Sequence, residues 1–149
     1  MNSAHFHLIV NHLPIIFTLV GVIVMIIDFV VKSAAVKRTA YGIFIIGALT
    51  SIAAMYSGEG AEEILENLNV TSENLIEIHE EQAEIFSILT YILGGLSLVG
   101  LWISFKLKSF SKATGIIIIL FAFVVLFFGQ QTATTGGELR HTEIRESRT

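Results

Sequence analysis

Four apolar runs, Leu13 to Val31, Ala40 to Tyr56, Ile85 to Phe105 and Ala113 to Gly129, leave this chain few folds to choose from. Each run reaches, or with its flanks approaches, the ~20 residues an α-helix needs to cross a hydrocarbon layer of ~30 Å. The apolar residues come in blocks, and a mean hydropathy of +0.73 over 149 residues is too high for an ordinary soluble domain. The expected fold class is all-α: an integral membrane four-helix bundle, with the lipid bilayer as its surroundings. The first run is expected to stay as a helix, since no Lys or Arg precedes it and it is too long for the apolar part of a cleaved signal.

Orientation follows from the loops. Lys32, Lys37 and Arg38 lie between spans one and two, and Lys106, Lys108 and Lys112 between spans three and four, so six of the nine basic residues occupy two short loops. The positive-inside rule places those loops in the cytoplasm. In a bacterial inner membrane the N and C termini are then periplasmic. The basic residues form no stripe and the formal charge is -4, which speaks against a nucleic-acid partner. Without cysteine there is no disulfide, no thiolate metal site and no covalent haem attachment, so any metal has nitrogen or oxygen ligands.

Nine of the thirteen acidic residues fall in one segment, residues 57–84, between spans two and three. No firm breaker stands between span two and Leu68, so helix two is expected to continue outward that far. Asn69-Val70-Thr71 reads as a turn with Thr71 or Ser72 as the next N-cap. A third helix from Ser72 to Phe105 would be ~50 Å long, more than the bilayer requires. Helices two and three are therefore expected to project as a water-exposed acidic hairpin, residues 57–84.

Helical phase sorts the hairpin residues. At 100° per residue, Leu75, Ile76, Ala83 and Phe86 share one side of helix three, and Glu73, Glu77, Glu80 and Glu84 the other. His79 falls with the apolar set. On helix two, Ala61, Ile64, Leu65 and Leu68 oppose Glu59, Glu62, Glu63 and Glu66, and antiparallel pairing sets His79 about level with Glu62. The last segment, residues 130–149, is expected to be an outward solvated tail able to lie against the acids.

Before span one, MNSAHFHLIVNHLPII carries three histidines and then Pro14, which belongs in a first turn or at a kink. If the segment is helical, His5 and His12 share a face at i, i+7 and His7 points away. Asn11 is a candidate cap for a helix beginning at Leu13. At the other end of span one, Asp28 is expected to pair with Lys32 at i, i+4; the competing role is a proton or ion relay.

All five histidines, His5, His7, His12, His79 and His141, fall on the outer side. Imidazole is neutral near pH 7 and is the commonest metal ligand, so two site chemistries arise. A b-type haem requires two histidines on facing helices at similar depth, and His12 with His79 meets that requirement. A mono- or dinuclear site of Fe, Cu or Zn would use His7, His12, His79 and His141 with Glu59 or Glu62. The haem is favoured, because phase turns most glutamates away from the apolar face. It implies electron transfer with a redox partner or within a larger membrane complex. The remaining alternative is a cofactor-free accessory or structural subunit. With no histidine on the cytoplasmic side, a second haem there is not expected.

The segment His7-Leu-Ile-Val-Asn-His12-Leu-Pro14-Ile resembles the opening pattern of a family of small four-span bacterial membrane proteins, the domain of unknown function 2231. That pattern is His, four residues, then His-Phe-Pro-Ile. Ser57-Gly58 with Ala61, the His79 helix and Gly136-Gly137-Glu138-Leu139 are similar to later signatures of the family. Leu13 stands where the family has an aromatic, and Arg140-His141-Thr142-Glu143 replaces its usual ending. The resemblance implies a four-helix fold and points to His7, His12 and His79; it implies no reaction.

Overall fold

The structure, a computed structural model, describes residues 2–68 and 72–145. They form α1 (Ser3–Val10), α2 (Leu13–Val31), α3 (Ala34–Leu68), α4 (Glu73–Lys106), α5 (Ser111–Arg140) and a closing 3-10 turn (Thr142–Ile144), with no strand among them. Four units are long and apolar enough to cross a membrane: α1 with α2, then α3, α4 and α5. Their outward stripes carry Ile16, Leu19, Ile23, Ile46, Leu49, Ile92, Val99, Leu120 and Phe127, all exposed. So much contiguous apolar surface suits lipid and not water.

The α1–α2 break is the work of Pro14. Lacking an N–H, it offers the Val10 carbonyl no i+4 donor, and its ring crowds that carbonyl. The helix accordingly ends at Val10, and Pro14 enters the first turn of α2. Thr18 donates its hydroxyl to the Pro14 carbonyl at 2.8 Å. Asn11 does not cap α2: that position is His12, which makes no side-chain cap bond, and Asn11 instead ends α1. Ser72 stands at the N-cap of α4 without a side-chain bond, while the expected turn at Asn69 to Thr71 lies outside the described residues.

Small residues set how closely the helices approach. A methyl group at Gly94 would lie 2.6 Å from Ala48 Cβ, and one at Gly21 2.5 Å from the Phe44 ring. Tyr41, Phe44, Met25, Leu93, Ile118 and Val125 fill the centre with under 2 % exposure. Ser51 donates its hydroxyl to Ser87 Oγ at 3.1 Å, which links α3 to α4 through two buried side chains. Gly94→Leu should cost about 1–3 kcal/mol through overpacking, read as a lowered unfolding midpoint in detergent. Gly95→Leu, which faces open space, should leave the midpoint unchanged.

Polar contacts pin the basic end. Arg38 donates to the Ser104 carbonyl (3.0 Å) and Oγ (3.1 Å), with its guanidinium 3.6 Å over the Phe105 ring. Asp28 does not pair with Lys32. Lys32 adopts a left-handed conformation (φ 52°) that ends α2, and the partner of Asp28 is Lys37 of α3, 3.4 Å away. That left-handed turn swings Lys32 off the helical i, i+4 line, whereas α3 begins at Ala34, earlier than the apolar run implies, and carries Lys37 back toward Asp28. At the acidic end α5 continues to Arg140, so residues 130–140 are helix and not tail. Its end is capped when Arg145 folds back and donates to the Glu138 carbonyl at 2.8 Å.

Candidate cofactor site

Counting about 20 residues from the basic loops brings four chain segments to one level: His12, Ser57, Phe86 and Thr132. Above a floor that includes Ser51 and Ser87, the helices enclose a cavity of about 420 Å³ open toward the acidic end. Small-molecule and cofactor pockets fall in the range of roughly 300–1,000 Å³. The walls come from α1 to α5: Ile15, Ala54, Ala61, Ile76, Ala83 and Phe86 are apolar, and His7, His12, His79, His141, Glu59, Glu62 and Glu80 are titratable.

Helical phase explains the face of α4. Ile76 and Phe86 are buried and His79 is partly buried, while Glu73, Glu77, Glu80 and Glu84 are exposed, as the period of 3.6 requires. On α3, Ala61 is buried and Glu59 and Glu63 are exposed. Glu62 departs from the expected phase: it is partly buried and borders the cavity.

His7 is the histidine that α1 turns inward. Its Nδ1 lies 3.1 Å from the Ala54 carbonyl and 3.1 Å from Ser57 Oγ. A carbonyl only accepts, so Nδ1 carries the proton and Nε2 the lone pair. His79 stands in the same relation to α5. Its Nδ1 is 3.0 Å from Thr135 Oγ1, whose own hydroxyl donates to the Thr132 carbonyl at 3.1 Å. The threonine proton being used, His79 Nδ1–H is the donor here too.

Both rings lie beyond the ends of the apolar runs that begin at Leu13 and Ile85, and both are partly buried. Burial pushes the His79 imidazole below the ordinary histidine value and the charge of nearby His7 adds to this, against the pull of the Thr132 carbonyl. His7 is lowered by burial as well, opposed by its bond to the Ala54 carbonyl and assisted by His12. Each is thus neutral near pH 7, the form in which imidazole ligates.

The other candidates sit differently. His12 borders the cavity but is exposed, at the N-cap of α2 in the break between α1 and α2. His141 is exposed at the mouth and pairs with Glu143 at 2.8 Å. His5 is exposed and away from the cavity. Asn11, Ser57 and Thr135 went unnoticed as site residues, although hydroxyl–glycine doublets, Ser57-Gly58 and Thr135-Gly136, mark two of them in the chain. The Asn11 Oδ1 is buried beside the cavity without a partner.

Two neutral imidazoles line this cavity, one from α1 and one from α4, and each is held at Nδ1, which among the described residues leaves Nε2 as the nitrogen that a planar macrocycle would use. Among the described residues no three or more His, Asp or Glu side chains converge as a metal-ion site would require. A b-type haem would need only two such imidazoles from the protein. Comparison with protein-family models, curated proteins and solved structures finds no match to this chain.

Proposed function

We propose that this is an inner-membrane electron-transfer protein with an outward-facing centre, a b-type haem whose axial ligands are His79 and His7. The observation that carries the reading is the shared cavity, in which two half-buried histidines from α1 and α4 each keep Nε2 free. His12, the partner suggested by its depth at the start of the first span, borders the cavity but is exposed. The motif likeness to the domain of unknown function 2231 proteins, which singles out His7, His12 and His79, accords with this choice. When bound, the haem would supply one-electron chemistry. The chain's residues hold it: imidazoles at both faces, Phe86, Ile76 and Ile15 as apolar walls, and the alanines as room for a flat ring.

Location supports the same role. By the positive-inside rule the basic loops would be cytoplasmic and the cavity periplasmic, and the exposed carboxylates of Glu59, Glu80 and Glu84 would be available there to a soluble redox partner or a neighbouring subunit. An optical spectrum with metal analysis on one preparation tests the reading. A Soret band that shifts with dithionite and about one iron per chain are expected. A colourless protein carrying a stoichiometric metal ion would point to the His–Glu alternative, and a colourless, metal-free one to an accessory subunit; either would remove the haem.

A further inference from the structure

The two histidines are held by the same device in both halves of the chain. His7 meets a hydroxyl (Ser57), the carbonyl three residues earlier (Ala54) and, next in sequence, a glycine (Gly58) on α3. His79 meets a hydroxyl (Thr135), the carbonyl three residues earlier (Thr132) and a following glycine (Gly136) on α5. The glycines are where the rings rest: a methyl group would fall 3.6 Å from His7 Cε1 at Gly58 and 2.9 Å from His79 Cε1 at Gly136. Connectivity repeats as well. The path α1–α2 then α3 enters and returns through the bundle just as α4 then α5 does, with a basic loop at each reversal. A parallel repeat of this kind relates its halves by an axis along the membrane normal and places binding groups at their interface.

From these matches we infer that the site consists of two equivalent half-sites, in which Ser57 and Thr135 are the positioning residues. Each hydroxyl, its own proton given to the carbonyl three residues earlier, accepts together with that carbonyl from Nδ1–H, and so presents Nε2 to a ligand with two equivalent faces. This rests on the haem reading for the identity of the ligand, but not for the tautomers, which belong to the protein alone.

The alternative is that the two hydroxyls only pack helices. Outer-shell partners of a ligating histidine are worth about 10–100-fold in affinity. Ser57→Ala and Thr135→Ala should each weaken haem binding by at least about tenfold, to a similar extent, and Ser57→Thr and Thr135→Ser should restore it. In the haem-free protein, nitrogen NMR of labelled histidine should show His7 and His79 as Nδ1–H tautomers. Ser57→Ala should move only the His7 signals and Thr135→Ala only those of His79. An Nε2–H tautomer at either ring, or an alanine variant that leaves its own histidine unchanged, overturns the proposal. If the tautomers hold while no preparation takes up haem, the half-sites stand and the haem reading falls.

Discussion

His79→Ala is expected to abolish the cofactor spectrum, with His7→Ala doing the same and His12→Ala leaving it largely intact. Even the outer-shell partners of a ligating histidine are worth about 10–100-fold in affinity, so removing the ligand itself should lower haem affinity by more than about 100-fold. The contrast among the three positions is the informative part. His7 and His79 are partly buried and hydrogen-bonded at Nδ1, whereas His12 is exposed at the N-cap of α2 without a side-chain bond. Truncation of His79 also empties space beside Gly136, so folding should be checked by circular dichroism and by the unfolding midpoint. Glycine variants at positions 7 and 79 supplemented with free imidazole supply a second readout. Recovery of the Soret band would separate a lost ligand from a lost fold. Retention of full occupancy by His79→Ala would sink the central assignment, and loss in His12→Ala with retention in His7→Ala would return the pairing to His12 and His79.

The second large effect is predicted far from the cavity. Lys37→Met should destabilise the bundle by about 3–5 kcal/mol, the usual consequence of removing one member of a buried ion pair. Asp28 is only 3 % exposed, its Oδ2 lies 3.4 Å from Lys37 Nζ and its Oδ1 has no partner. Without Lys37 the carboxylate has no compensating charge in a low-dielectric setting. Replacing both, with Asp28→Leu and Lys37→Met together, should recover most of the loss, because the pair repays little more than its own desolvation. Lys32→Met is the control: Lys32 is exposed, and its substitution should stay within about 0.5 kcal/mol. Denaturant melts in one detergent measure all four proteins. Equal losses for Lys32→Met and Lys37→Met would contradict the assigned partner.

These two sites show where helical phase serves and where it stops. Phase placed His79 with Ile76 and Phe86 and turned Glu73, Glu77, Glu80 and Glu84 to solvent, because all of them lie on one uninterrupted helix. The same arithmetic sets His7 opposite His5 and His12, and the structure keeps that order, with His7 against α3 and the other two exposed. What phase does not decide is which of the two faces meets the bundle. Asp28 was matched to Lys32 by i, i+4 spacing within one helix, and the left-handed turn at Lys32 removed that option in favour of a residue nine positions along the chain. The end of α5 was set too early for a simpler reason. Residues 130–140 are polar enough to read as tail, yet Thr132 bonds the Gln82 carbonyl at 2.9 Å and Gly136 packs under His79, so tertiary contacts carry the helix onward.

By itself the sequence determined the four helices long and apolar enough to cross a membrane, the basic and acidic ends of the bundle, the length of α3 and α4 beyond their apolar runs, and the inward face around His79. These depend on composition and on contacts within about one helical turn, which local spacing encodes. Only the tertiary structure decided that His7 and His79 are partly buried in one cavity while His12 is exposed, that Ser57 and Thr135 hydrogen-bond the two rings, and that Lys37 answers Asp28. Such pairings depend on the rotation and depth of each helix against its neighbours, and here those are set by close approaches at Gly21, Gly94, Gly100 and Gly129 between residues far apart in the chain.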